Sequence, residues 1–366
     1  MKISDIIHIL ESIAPPSYQE SYDNVGLLTG HSDWDCTGII CTLDATEEVI
    51  DEAINNKFNC IVAHHPIIFK GLKKINGNNY VERAVIKAIK NDIAIYAIHT
   101  NLDNIIAGVN ARIADKLGLI NREILSAKSS FLNKIYTFVP LEHLDTVRNA
   151  IFAAGAGGIG NYSECSFTVK GIGTFKAGEG TDPYAGRIGE RHHEEECKIE
   201  IVFPSFLQQK IISALIKAHP YEEVAYDVIE LMNEPPGVGS GILGELPDPT
   251  GPIEFLRLLK THFQTPVVRH TALTSRNISK VALCGGAGSF LVSKALRKGA
   301  DVFVTADMKY HEFFDAEGRM VICDIGHFES EQFTTDLLYD ILVEKFPTFA
   351  VLKSKVKTNP VHYFTG

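Results

Sequence analysis

Short apolar runs that close on a turn or a polar residue and then give way to helical periodicity recur along this 366-residue chain, and few folds accommodate that order. TGIICTLD (37–44), NCIVAHHP (59–66) and IAIYAIHTNLD (93–103) are separated by helical patterns such as EEVIDEAINN and YVERAVIKAIKN. Strands of this kind, apolar throughout and alternating with helices, predict an α/β layer with a mostly parallel sheet. The pattern returns near the end in SKVALCGGAG (279–288), DVFVTAD (301–307) and MVICDIGH (320–327), separated by LVSKALRKG and KYHEFFDAEG.

The middle follows a different order. NKIYTFVP (133–140), a helical LEHLDTVRNAIFAAG and CSFTVKGIGTF precede a Gly-rich, charged stretch; then come CKIEIVFP (197–204), a helical SFLQQKIISALIKAH and VAYDVIEL (224–231). This is β-α-β twice, the order of a ferredoxin-like split βαβ unit. The Pro and Gly punctuation of EPPGVGSGILGEL (234–246) is that of a linker. The expected organisation is an α/β core domain in two halves, 1–130 and 236–366, interrupted by an inserted α+β domain at 131–235.

Composition narrows the function classes. Thirty-five Lys and Arg against forty-five Asp and Glu leave a formal charge of −10, which disfavours a broad grip on a nucleic-acid backbone. No stretch reaches about eighteen apolar residues without a charge, so no membrane span is predicted. The N-terminus MKISDIIHILESIAPP lacks a signal-peptide pattern, and the expectation is a cytoplasmic protein. The seven cysteines are scattered without a C-x-x-C pair, the pattern of reduced, buried thiols rather than of a disulfide framework or zinc knuckle.

Chemistry concentrates where the apolar runs end. His64-His65-Pro66 closes CIVA, and two adjacent imidazoles converge only where the strand has ended and the backbone turns. The carboxyl end of a strand in an open α/β sheet is also where ligands bind. Asp103 follows the next run; His327 and Glu331 follow the last, four positions apart at the start of a helical FESEQFTTDLLYDIL, which sets both on one face. Three imidazoles and two carboxylates form a mixed set suited to Zn, Mn, Fe or Co and poorly suited to Ca or Mg. Five ligands exceed the needs of one catalytic ion and suffice for two divalent ions if Glu331 or Asp103 bridges. Each side chain also has an ordinary structural role open to it, as core histidine, helix cap or first-turn carboxylate. His99, Asp307 and His311 occupy comparable strand ends and are candidates for orienting the ligands.

Two further motifs invite a function and are discounted. CGGAGSFL (284–291) imitates a dinucleotide fingerprint, but Leu291 stands where the last glycine belongs, leaving a tight strand-to-helix turn whose N–H groups can still receive a phosphate. RHHEEEC (191–197) offers His and Glu, yet in a charge-rich loop it reads as a solvated face. G-x-S-x-G, Walker and H-E-x-x-H patterns are absent, so no Ser or Cys nucleophile is predicted, and no general base stands out.

SYDNVGLLTG, IVAHHPIIFKGLK, AIHTNLD, VALCGGAGSFL, DVFVTADMKYHE and DIGHFESE together resemble the GTP cyclohydrolase 1 type 2 (Nif-three-like) family over essentially the whole chain. NYSECSFTVKGIGTFKAGEGTDPYAG and HPYEEVAYDV are similar to the inserted, PII-like domain of its longer bacterial members. The resemblance implies a dinuclear metal site on His64, His65, Asp103, His327 and Glu331, with Glu331 bridging, and a toroidal homohexamer with the sites facing an internal cavity. It also implies a metal-dependent hydrolase that opens the guanine imidazole ring of GTP with release of formate, or that cleaves a related nucleotide or phosphoester. The rival expectation, of another class, is a non-catalytic metal-binding regulatory scaffold whose insert senses a ligand or partner.

Overall fold

The computed structural model describes residues 1–364. Its strands are β1 (Gly26–Thr29), β2 (Ile39–Asp44), β3 (Cys60–His65), β4 (Ala94–Ala97), β5 (Ile120–Ala127), β6 (Leu132–Pro140), β7 (Phe167–Lys176), β8 (Arg191–Pro204), β9 (Tyr226–Leu231), β10 (Gly239–Thr250), β11 (Arg269–His270), β12 (Ile278–Ala287), β13 (Val302–Ala306), β14 (Val321–Asp324) and β15 (Val351–Lys353). The helices are α1 (Ile3–Ile13), α2 (Glu47–Asn56), α3 (Tyr80–Lys90), α4 (Thr100–Asp103), α5 (Val109–Lys116), α6 (Leu144–Ala153), α7 (Gln208–Ala218), α8 (Pro252–Phe263), α9 (Val292–Arg297), α10 (His327–Glu331) and α11 (Thr334–Lys345). They group into two compact units, one formed by Met1–Ala127 with the chain from Gly237 onward, the other by Lys128–Pro236.

The first unit holds two sheets rather than the single layer expected. One has the order β1-β4-β3-β2-β15, the other β11-β14-β13-β12-β10-β5. The first is parallel from β4 through β3 and β2 to the edge strand β15, with β1 antiparallel at the other edge; the second is parallel through β12, β13 and β14, with antiparallel strands on both sides. The apolar runs explain this, because a strand buried on both faces needs no polar alternation. Along β2, Ile39 and Cys41 face a core that both sheets share with α1, α5, α8 and α11, whereas Ile40 faces α2 and α3 on the outside. On the other sheet Phe303 and Ile322 turn outward to α9. The helix ends follow local chemistry: Thr46 caps α2 through the amide of Val49, and Asn79 caps α3 through that of Glu82.

Three local expectations are corrected. Of the linker-like EPPGVGSGILGEL, the Pro235-Pro236 end lies where the two units divide, but from Gly239 onward it is β10, paired with both β12 and β5, so its later glycines mark close backbone approach. A Cβ on Gly241 would meet the carbonyl oxygen of Leu283 at 2.8 Å. RHHEEEC is not a loop but the first half of β8, in antiparallel register with β7 from Arg191 to Cys197. FESEQFTTDLLYDIL breaks into α10 and α11.

The second unit runs β6-α6-β7-β8-α7-β9, and its sheet order is β7-β8-β6-β9, antiparallel throughout. Alternate residues Ile135, Val139, Ile199, Ile201 and Phe203 bury against Val147 and Ile151 of α6 and Ile211 and Leu215 of α7. Six of the seven cysteines are buried, Cys165 is half-buried, and all are free thiols. No described helix is long and apolar enough to cross a membrane.

Candidate metal centre

The carboxyl ends of both parallel arrays converge on one place. β3 delivers His64 and His65; the turn after β4 delivers His99 and, through α4, Asp103; β2 ends on Asp44; β13 is followed by Asp307; and α10 presents His327 and Glu331. The His64 ring lies 4.9 Å from His65 and 5.2 Å from His99, and the His65 ring 5.3 Å from His327, centroid to centroid. Two groups of side chains have ligand atoms within 4.8 Å of one another: His64, His65 and His99, and His65, His327 and Glu331. Either group can hold a metal ion.

Each ring is oriented from behind. His64 Nδ1 donates to the carbonyl of Ile98 at 2.8 Å, so its Nε2 carries the lone pair. His65 Nδ1 pairs with Asp44 at 2.8 Å, His327 Nδ1 with Asp307 at 2.7 Å and His99 Nδ1 with Asp23 at 2.8 Å. Asp23 is fixed in turn by the amide and hydroxyl of Thr100. Carboxylates behind imidazoles are the usual outer support of metal-binding histidines. Oε2 of Glu331 lies 3.0 Å from Nε2 of both His65 and His327.

Four buried side-chain atoms among the described residues lack any hydrogen-bond partner, and two of them, Nε2 of His64 and Oδ1 of Asp103, face each other across 3.6 Å. Nε2 of His64 carries no hydrogen to share, and buried polar atoms are rarely left without a partner. A cation bonded to both at about 2.0–2.2 Å satisfies them at that separation.

The electrostatics show the same need for positive charge. Burial keeps His64 neutral, its pKa pushed down to about 3. Burial also opposes the charging of His65, but its hydrogen bonds to Asp44 and Glu331 prevail and bring it up to about 9. At His327 burial is again outweighed, by the charge of Glu331 and the hydrogen bond to Asp307, and the pKa rises to about 11. Glu331 is fully buried, which favours its neutral form, yet the imidazolium charges of His327 and His65 hold it well below the usual carboxylate range. Asp103, half-buried, is pushed well above it by loss of water around the carboxyl and by the charge of Glu331. Protons on His65 and His327 balance Glu331 here, and a divalent ion displaces such protons when it binds.

The glycine-rich end of β12 and the turn after it belong to this site. The amide of Gly285 donates to Asn110 at 2.9 Å, that of Gly286 to Ser330 at 3.0 Å and that of Gly288 to Thr305 at 3.0 Å, so these three glycine amides are engaged within the protein. Gly286 has φ +60°, and a Cβ on it would stand 2.4 Å from Oε1 of Glu331. The turn makes room for that carboxylate.

His64, His65, Asp103, His327 and Glu331 are thus brought together. His99, expected to orient a ligand, instead points its own ring into the cluster with Asp23 behind it, while Asp307 does take the orienting position. His311 is not brought in: it lies in the 3-10 turn Tyr310–Ala316, exposed, stacked on Phe314 with centroids 6.3 Å apart. Asp23 and Asp44 were missed. The signal for Asp44 was its place at the end of the strand beside β3, in register with His65.

A cavity of about 210 Å3 opens on the cluster between Tyr22, Phe69 and Phe290. A larger one of about 1020 Å3 is lined by His65, Phe69, Lys70, Lys73, Lys74 and Tyr80.

Comparison with known proteins adds a consistent set of likenesses. The model of the Duf34/NIF3 (NGG1p interacting factor 3) family matches residues 1–360. A Halalkalibacterium halodurans protein named GTP cyclohydrolase 1 type 2 homolog is 42% identical, over 98% of this chain and 99% of the relative. A Bacillus subtilis protein of the same name is 38% identical, over 97% and 96%. Among solved structures, a Bacillus cereus protein related to NIF3 superposes with a TM-score of 0.84 at 38% identity, covering 100% of this chain and 99% of that one.

Proposed function

Since the chain belongs to the Duf34/NIF3 family, we propose that it is a hydrolase that uses two divalent ions held by His64, His65, Asp103, His327 and Glu331, with His99 as a sixth candidate ligand and Glu331 shared between the ions. The observation that carries this reading is the facing pair of partnerless atoms on His64 and Asp103, beside a carboxylate that two further imidazoles share. When bound, such ions lower the pKa of water and stabilise charge that develops on the substrate.

The chain's own residues do the rest. Asp44, Asp307 and Asp23 keep His65, His327 and His99 turned toward the centre. Phe69, Tyr22 and Phe290 narrow the approach and limit bulk water. Lys70, Lys73 and Lys74 offer three positive charges beside His65, which favours an anionic substrate such as a nucleotide or phosphoester. GTP, from the name that the relatives carry, is the first candidate.

Two further parts of the reading rest on the resemblance. The β-α-β-β-α-β order of the second unit supports a PII-like module, and light scattering tests a homohexamer. For the activity, purified metal-loaded protein is assayed on GTP and on generic phosphoesters beside His65→Ala and Glu331→Ala. Turnover by the wild type that both variants lose is the expected result; identical turnover by all three removes the hydrolase.

A further inference from the structure

The HPYEEVAYDV segment (219–228) takes no part in the imidazole cluster. Its Tyr221 helps to line a cavity of about 420 Å3 lying wholly within the second unit. Three aromatic rings stand in contact there, with the centroid of Tyr221 6.1 Å from Phe175 and 5.8 Å from Tyr184, and Phe138 adds a fourth. Among them lies Glu196, only 8% exposed. One of its oxygens accepts from the Tyr221 hydroxyl at 2.8 Å. The other occupies the space left by Gly173, where a Cβ would come within 2.0 Å of it.

That arrangement is unusual in its charge. A carboxylate enclosed by rings is costly unless a positive charge answers it, and here its hydrogen-bond partner is a phenol. Among the described residues no Lys or Arg lines the cavity, while Glu222 and Glu223 add to its acidity. The walls are also held in place. The amide of Asp182 donates to Glu222 at 2.8 Å, anchoring the loop that carries Tyr184, and the Tyr184 hydroxyl is tied to Glu142 and His143.

We propose that this cavity binds a small organic ammonium ion, its cationic head against Glu196 and within the ring faces of Tyr221, Tyr184 and Phe175. Ring faces attract a desolvated cation through their quadrupole, and methylated ammonium groups suit such cages. A hard metal ion fits less well, because it needs six or more oxygens and a single enclosed carboxylate supplies two at most. The volume falls within the range of small-molecule sites.

The test uses the full-length protein and ligand-observed NMR. Methylammonium, tetramethylammonium and choline are titrated beside 3,3-dimethylbutan-1-ol, which has the shape of choline without its charge. At least one ammonium is expected to saturate with ring-current-shifted methyl signals and an affinity about tenfold above that of the alcohol. Glu196→Gln keeps an oxygen for the Tyr221 hydroxyl and should abolish that preference. Tyr184→Ala, which removes a 44% exposed ring not needed by the core, should weaken the ammonium several-fold at an unchanged melting temperature. Equal affinity for alcohol and cation, affinity unchanged in both variants, or no saturation by any of the three ions below about 10 mM overturns the proposal. So does a Tyr184→Ala protein that changes its subunit number while its ammonium affinity stays put.

Discussion

The Nε2 atom of His65 lies 3.0 Å from Oε2 of Glu331, although 266 positions of sequence separate the two residues. One oxygen of a fully buried carboxylate thereby serves two imidazoles, since His327 approaches the same atom at the same distance. Glu331→Gln preserves the shape and removes the charge. It should lose metal beyond the ten- to hundredfold typical of an outer carboxylate, as read by elemental analysis of protein dialysed against a limiting metal buffer. A variant that retains full metal content would show that Glu331 is not a ligand.

Asp44 and Asp307 act one step further out, each through the Nδ1 of a single ring. Asp44→Asn and Asp307→Asn should each lower metal affinity about ten- to hundredfold while leaving the fold intact. Competition with a chromophoric chelator measures the affinity, and thermal melting of the metal-free proteins checks the fold.

Gly286 and Gly299 both adopt positive φ, +60° and +73°, but only Gly286 faces a carboxylate. Alanine at Gly299, with open space around its Cβ, should cost about 1 kcal/mol of backbone strain and leave metal binding alone. Alanine at Gly286 adds the displacement of Glu331 and should weaken metal binding as well. Paired denaturant unfolding and metal titrations separate the two effects.

His219 is buried in the second unit, its Nε2–H donating to Phe138 at 2.9 Å and its Nδ1 accepting from the amide of Tyr221 at 3.1 Å. Both nitrogens are satisfied by the neutral ring. Burial lowers its pKa, the hydrogen bond to Phe138 opposing only in part. The stability it confers is therefore fully present above the unfolded value of about 6.5 and is lost as pH falls through the lowered folded value. Amide protection factors across residues 208–231, taken relative to the intrinsic exchange rate at each pH, should fall between about pH 7.5 and 5 in the wild type, and much less so in His219→Gln.

The sequence showed the strand ends well because a doubly buried parallel strand is apolar throughout, so β2, β3, β4, β12, β13 and β14 stood out, and with them His64, His65, Asp103, His327 and Glu331. It showed β10 badly. Gly239 and Gly241 look like punctuation, whereas each clears space for a neighbouring backbone, a relation that exists only in three dimensions. Asp23 escaped for a similar reason: a lone carboxylate in a turn has no periodicity, and its meaning comes from the ring it meets, whereas Asp44 carried the same strand-end signal as His65. His311 shows the converse error, since its position after β13 matches that of a ligand but the 3-10 turn carries it out to solvent.

Because the histidine cluster draws on the ends of two sheets, it is complete only when both have been made. His64, His65, His99 and Asp103 leave the ribosome more than two hundred residues before His327 and Glu331 do. The second unit is synthesised in the interval. A nascent chain therefore carries the His64, His65 and His99 group well before the group of His65, His327 and Glu331 can form, and the two come together only on completion of the whole first unit.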